Sequence, residues 1–539
     1  MQSTANPTMP LPTKKIPLSE VPQFSKRDLA YINASPDLLP FYKYPVALDS
    51  FKQVIIDKAN DETDRELLVS VLREQYASLS ENKMVLTNIE ALQEENCFTV
   101  TTAHQPVIFT GPLYYIYKIL STIKLAEVLQ EAYPSQQFVP VFVSGAEDHD
   151  FEEVQQTTVF GKELLWENEE SGPVGKMSTS SLKEVINQLE EILGKRPAAV
   201  QIIELIKKSY QQNKTYGKAT VELVHELFKD FGLVVVDMSS VALKQAAIPL
   251  FKKELLSSPS VDLIEKTQEQ LNEKGYKSQA TAREINLFYL GDQYRERIIK
   301  EGDFYKINNK SLTFSQQELL AELDAHPERF SPNVVMRPLY QELILPNLAY
   351  IGGGGEIAYW LERKTQFEHF DINFPMLIRR SSAMIVGKTE QKKLNKLDLQ
   401  VTDLFTETHL LIKNYVDHKT DYKLDLESEK KDLATIFRSV IAKAKKIDVS
   451  LEGAVKAEEA RQLKSLEQME ARFMKAEKRN QEVTVDQIKN LQERLFPSNG
   501  LQERKINFLT FYLNAGDSFF EKMKEELNPL DKDFVIFFS

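Results

Sequence analysis

Glu147-Asp148-His149-Asp150 packs three carboxyl groups and an imidazole into four consecutive positions of a 539-residue chain. Carboxylates this close repel one another if all are buried and ionised, so at least one must pair with Lys118, Arg337 or the amine of a ligand. A histidine beside an aspartate is suited to moving protons near neutral pH. His104, followed by Gln105, supplies a second imidazole upstream. The bland alternatives are an ion-pair network for the acidic cluster and a turn capped through a backbone carbonyl for His104. Zinc needs about four well-placed ligands, and the chain has one cysteine, so no zinc site is expected. Magnesium accompanying a nucleotide is the milder possibility.

Two further groupings carry chemistry. Arg337, at the head of Arg337-Pro-Leu-Tyr-Gln341-Glu342, can clamp a carboxylate or phosphate with two parallel bonds, or tie strand ends together. Downstream, Gly352 to Gly355 separates the apolar run Asn347 to Ile351 from Glu356-Ile-Ala-Tyr359-Trp360. That turn either lets backbone amides approach an anion or is close-packed, with Glu356 completing the helix dipole. Near the C-terminus, Arg504, Asn507, Tyr512, Asn514 and Gly516 offer a cation, amides, an aromatic face and a glycine suited to an adenine nucleotide. Phe508, Phe511 and Phe519 fit a packed helix there equally well.

These groups need elements to position them. Cys97 to Ala103 and Phe138 to Val143 read as strands, with a turn from His104 and a helix from Pro112 to Tyr133 between them. Leu233 to Asp237 is another buried strand. Ligands of an open parallel sheet bind outside the carboxyl ends of its strands, so His104 and the acidic cluster are expected to share one crevice. Residues 48–92 read as helical, 155–170 as a β segment, 181–231 as helices and 285–307 as short strands before a capped helix. Residues 1–25 are expected to wrap over the surface. From about Val401 glycine nearly vanishes, and 427–447 and 449–482 read as two long helices broken near Asp448. Leu463, Leu466, Met469, Phe473 and Ala476 form a narrow stripe of the kind found in coiled-coil seams. The predicted organisation is a catalytic core over 1–390 with insertions near 155–230 and 240–330, a helical hairpin over 391–490 and a segment over 491–539 that returns to the core.

Composition sets limits. The length implies more than one core at roughly 150 residues per domain. A formal charge of −12 argues against an extended nucleic-acid footprint. A single cysteine excludes a disulfide framework and fits a reducing cytoplasm, and no window approaches the ~18 apolar residues of a membrane span.

Gly111-Pro-Leu-Tyr114 with Tyr117-Lys118, Glu147-Asp-His-Asp150, Arg337-Pro-Leu with Gln341-Glu342, Gly355-Glu-Ile with Tyr359-Trp360, and Gln502-Glu-Arg504 through Phe519-Phe520 occur in that order. The set resembles the family assigned the final, cysteine-ligating step of bacillithiol biosynthesis. The chain departs from the family pattern at Ala103-His104, Val143-Ser-Gly-Ala146, Gly354 and Ala358. The resemblance implies an α/β fold: a Rossmann-like parallel sheet core with helical and mixed insertions and a C-terminal α-helical coiled coil that forms a homodimer. It implies a ligase forming an amide between cysteine and the amine of a glucosaminyl-malate, with ATP or ADP as nucleotide. His104, from its place at a strand end facing the crevice, and Glu147, Asp148, His149 and Asp150, which the resemblance also carries, are the catalytic candidates. Gln105, Gly111, Tyr114, Lys118, Arg337, Gln341, Glu342, Gly355, Glu356 and Tyr359 are the substrate-binding candidates, and Arg504, Asn507, Tyr512, Asn514 and Gly516 the nucleotide candidates. Two other classes of function are weighed against it: a synthetase-like enzyme activating another amino acid or acting on RNA, and a non-catalytic dimeric coiled-coil scaffold.

Overall fold

The computed structural model of the protein describes residues 11–419, 425–516 and 518–539. The chain divides into two compact units, one of Met1–Ile385 with Gln502–Phe537 and one of Val386–Leu501 with Phe538–Ser539.

The first unit is built on five parallel strands: β1 (Cys97–His104), β2 (Gln137–Ser144), β3 (Val234–Asp237), β4 (Asn347–Gly352) and β5 (Met376–Arg379). They lie in the order β5-β4-β1-β2-β3, the Rossmann arrangement in which strand order reverses on either side of β1. All are almost wholly buried, which explains their unbroken apolar and threonine runs. The threonines of β1 bury their hydroxyls by bonding neighbours: Thr102 donates to the Ile351 carbonyl of β4 at 2.8 Å. Pro140 is tolerated in β2 because β3 pairs with it only from Val141 onward. His104, Ser144 and Asp237 end their strands in register. Cys97 starts β1, about 20 Å away by strand rise, and burial pushes its thiol up to about 12.

Helix α1 (Leu113–Ala132) returns from β1 to β2 and is buried on most of its circumference. Pro112 caps this helix rather than starting it. The insertion after β2 is the hairpin Gln156–Val159/Lys162–Leu165 and the helices Lys183–Leu193, Pro197–Gln212 and Tyr216–Phe228. After β3 come three helices and an antiparallel five-stranded sheet in which Leu287–Leu290 pairs with both Arg295–Glu301 and Phe330–Pro332. Helix α2 (Arg337–Ile344) leads into β4, and the short helix α3 (Gly354–Trp360) follows it.

Two expectations are corrected. The helical stretch over 48–92 is three helices, Phe51–Lys58, Arg65–Tyr76 and Lys83–Ala91, because Asp64 and Asn82 cap new N-termini with their side chains. Of the expected surface wrap over 1–25, residues 1–10 lie outside the described residues. The rest is anchored: Thr13–Pro17 pairs antiparallel with the C-terminal strand Asp533–Phe538, and Ile16, Leu18, Val21 and Phe24 are buried.

In the second unit α4 (Glu427–Ile447) and α5 (Leu451–Asn480) form an antiparallel hairpin, joined by Lys430–Glu470 at 2.6 Å and Lys445–Glu452 at 3.0 Å. No residue of α5 is fully buried, and Ile436, Val440, Met469 and Phe473 are exposed. Among the described residues no helix is long and apolar enough to cross a membrane.

Candidate functional site

All five parallel strands deliver residues to one cavity of about 810 Å³ in the first unit. His104 and Gln105 come from the end of β1, Ser144 to His149 from β2, Met238 and Ser239 from β3, Gly353 to Glu356 from β4, and Arg380 from β5. The antiparallel sheet contributes Phe288, Arg295 and Arg297, and α2 contributes Arg337. Asp237 itself turns away, its carboxylate accepting the Ser239 backbone N–H at 2.9 Å.

The loop after β1 is shaped by backbone strain. Phe109, Thr110 and Gly111 all have positive φ, and a Cβ on Gly111 would lie 2.6 Å from a Val107 methyl. Asn507 holds the loop from below, donating to the carbonyls of Phe109 at 2.9 Å and Gly111 at 2.7 Å. The loop in turn aims Tyr114 into the cavity.

His104 is fixed between two partners. Its Nδ1 lies 3.0 Å from the Gln105 carbonyl, which can only accept, so Nδ1 carries the proton. Nε2 then accepts from the Tyr114 hydroxyl at 3.2 Å. Burial, helped by the Lys118 charge, pushes the imidazole down to about 4, so the ring is neutral at pH 7.

The acidic cluster is largely committed to cations. Glu147 pairs with the fully buried Lys244. Asp148 accepts from Gln105 Nε2 at 2.6 Å and from the His149 backbone at 2.7 Å. Burial alone would raise its pKa, but the His149 and Gln105 bonds and the Arg295 charge hold it well below the usual carboxylate range. Arg295 stacks 3.9 Å from the Phe288 ring centroid and donates to His149 Nδ1 at 3.0 Å. His149 Nδ1 therefore accepts, and the 3.6 Å separation from Asp148 is too long for a hydrogen bond. Asp150 is exposed, precedes the short helix Phe151–Val154 and is absent from the cavity wall.

Glu356 settles the glycine turn. Its carboxylate accepts from the Gly353 N–H at 2.9 Å, the Tyr350 hydroxyl at 2.6 Å and Lys118 Nζ at 2.8 and 2.9 Å. Burial opposes its charge, but Lys118 outweighs that and holds the group down to about 2. The helix N-terminus is thus filled by its own carboxylate, with no free amide cradle for phosphate at Gly353. The turn is also close-packed, since a Cβ on Gly354 would meet Asp28 at 2.6 Å. Lys118 is buried and bonds Ala103 and Glu356 without lining the cavity. Breaking such a pair costs about 3–5 kcal/mol.

The remaining candidates divide. Gly355, Glu356, Tyr359 and Arg504 line the cavity, whereas Gly111, Gln341 and Glu342 lie behind its wall. Asn507 and Tyr512 are buried, Asn514 is exposed, and Gly516 caps the helix Leu509–Ala515. None of those four lines the cavity that Arg504 lines. Sequence reasoning missed Lys244, Arg295 and Arg380. Arg380 follows directly on β5, so the strand-end rule could have found it. Arg295 sits in Arg-Glu-Arg-Ile-Ile-Lys-Glu, which reads as a solvated strand.

The wall carries six arginines, Arg283, Arg295, Arg297, Arg337, Arg380 and Arg504, against three carboxylates, Glu147, Asp148 and Glu356. Since those carboxylates are already engaged by Lys244, Arg295 and Lys118, the cavity presents a cationic surface in a chain of net charge −12. Such a site can hold carboxylates or phosphates and align an amine beside them.

A parallel sheet in this order, with a cationic cavity at its carboxyl edge, defines a Rossmann-like protein whose cavity suits small anionic molecules. The family model "Bacillithiol biosynthesis BshC, N-terminal Rossmann-like domain" matches residues 11–381, and "Bacillithiol biosynthesis BshC, C-terminal coiled-coil domain" matches residues 383–539. The chain belongs to this family. It is 42% identical over 529 residues to a Flavobacterium johnsoniae protein named "Putative cysteine ligase BshC", covering 98% of this chain and 99% of that one. A protein of the same name from Christiangramia forsetii is 40% identical, with coverage of 98% and 99%. One from Bacillus cereus is 29% identical, with coverage of 92% and 95%.

Proposed function

We propose that the protein is a ligase that joins the carboxyl of cysteine to the amine of a glucosaminyl-malate, forming the amide of bacillithiol. The observation that carries this reading is the arginine-lined cavity, because a malyl group brings two carboxylates while the reacting amine is on the sugar. The names of the family's relatives point to the same chemistry.

Joining an amine to a carboxyl in water requires activation of the carboxyl, and ATP would supply a phosphate leaving group when bound. Arg380 and Arg504 are the cations we assign to its phosphates. Among the described residues no three of His, Cys, Asp and Glu converge as a metal cage, so magnesium would arrive with those phosphates. Arg337 and Arg295 face the substrate carboxylates. Asp148, through Gln105 and Arg295, fixes the wall on which His149 stands. His104 is too weak a base at about 4 to take a proton at neutral pH, and its part is to orient Tyr114. Gly355, Glu356 and Tyr359 complete the substrate side of the wall. We further place the protein in the cytoplasm, as a homodimer joined through the exposed stripe of the hairpin.

The test is ligation by the purified protein supplied with cysteine, glucosaminyl-malate, ATP and magnesium, with the amide product read by mass spectrometry. His149→Ala should reduce product about a hundredfold or more. Its half-exposed ring makes a stability loss below about 1 kcal/mol the expected accompaniment. A folded wild-type protein that consumes no nucleotide and makes no product overturns the proposal.

A further inference from the structure

Two of the arginines on the cavity wall are committed to carboxylates, and Arg337 is not. Arg380 is paired with Glu503 at 2.8 Å, and Arg295 lies 3.9 Å from Asp148 and donates to His149, Ser331 and the Pro332 carbonyl. Arg337 forms no ion pair with any carboxylate among the described residues. Its polar contacts are the Gln341 side-chain oxygen at 2.8 Å and the Tyr359 hydroxyl at 3.3 Å. Its charge is left for whatever occupies the cavity.

The contact with Gln341 works in one orientation only. A guanidinium has donors and no acceptor, so Gln341 must offer its oxygen, and turning the amide over would press an NH₂ against a cation. What sets that orientation is Glu342. Gln341 Nε2 donates to Glu342 Oε1 at 2.9 Å, and Asn347 Nδ2 donates to the same oxygen at 2.8 Å. Gln341 and Glu342 are 0% and 1% exposed, so neither can touch a ligand. Their place is behind the wall, one and two steps from the cavity.

We propose that Glu342 is a positioning residue for Arg337: by accepting from Gln341 it fixes the amide whose oxygen holds the guanidinium against the anionic group of the substrate. This rests on the reading of the cavity as a site for an acidic acceptor. Glu342 Oε2 has no partner, so the role needs one acceptor oxygen and not the full carboxylate. Burial pushes the group up to about 7, and either protonation state leaves Oε1 able to accept. A carboxamide at this position would serve as well, with its oxygen facing the two donors.

Calorimetric titration of the full-length protein with glucosaminyl-malate, without nucleotide or cysteine, tests the relay apart from turnover. Glu342→Leu removes the acceptor and should weaken binding about tenfold, as loss of one charged hydrogen bond does. Glu342→Gln should restore affinity to within about threefold of wild type. Arg337→Ala should weaken binding at least as much as Glu342→Leu, and the double variant no more than Arg337→Ala alone, because the two act in series. In steady-state assays Glu342→Leu should raise KM for the acceptor and leave KM for cysteine in place. Folded Glu342→Leu protein that binds as wild type, or losses that add in the double variant, overturns the relay. If the protein binds the acceptor with this pattern but never ligates it, the relay stands and the proposed reaction falls. A wild-type protein that binds no acidic acceptor overturns both.

Discussion

At the scale of single residues, His104 shows burial and hydrogen bonding choosing one protonation state together. With a folded pKa of about 4 against roughly 6.5 in the unfolded chain, the unfolded state binds the proton first on acidification. The stabilisation is complete above about pH 6.5 and disappears as pH falls towards 4, by on the order of 3 kcal/mol. His104→Gln should therefore unfold at a nearly constant offset from wild type above pH 6.5 and gain on it below. A wild-type profile parallel to that of the variant from pH 7 to pH 4 would show that His104 titrates in the native state as it does in the unfolded chain. Little of this environment was legible in the sequence. The strand-end position of His104 was readable, but its neutrality depends on burial and on the Lys118 charge, which only the fold brings about. Gln341 and Glu342 were contact candidates because the family resemblance includes them beside Arg337. Four residues on along the helix, Gln341 does meet Arg337, but both it and Glu342 are shut in the core and reach no ligand themselves.

Elements were easier to read than the contacts between them. β1, β2 and β3 announced themselves as β-branched and apolar runs, and α4 ends where expected because Asp448 breaks the pattern. The antiparallel sheet was read as strands, yet its delivery of Arg295 beneath Asp148 follows from a pairing of Leu290 with Arg295 that has no local signature. The loop from Gln105 to Pro112 carries the clearest element-scale prediction. Gly111 has φ +61° and no room for a side chain, so Gly111→Ala should cost about 1–3 kcal/mol. Because Asn507 bonds the same loop, Asn507→Ala should couple to that loss when the two are combined, which thermal unfolding of the single and double variants measures. Additive losses would show that Asn507 does not act through this loop.

For the whole molecule, the hairpin poses the question of association. Met469 and Phe473 of α5 are 44% and 43% exposed, and Ile436 of α4 is 60% exposed. Burying side chains of this size yields roughly 1.5–3 kcal/mol each, and a two-fold pair is the commonest closed assembly. Leu466→Glu/Phe473→Glu should halve the mass seen by light scattering, and an unchanged mass would place the stripe outside any interface. The lone cysteine has a different consequence. Cys97 starts the strand that His104 ends, sealed in the sheet and pushed up to about 12, so near pH 7 almost none of it is thiolate. A catalyst whose proposed substrate and product are both thiols is thereby chemically deaf to them: it can neither exchange disulfides with its own product nor be glutathionylated, and its activity should be indifferent to the redox state of the pool it helps to fill.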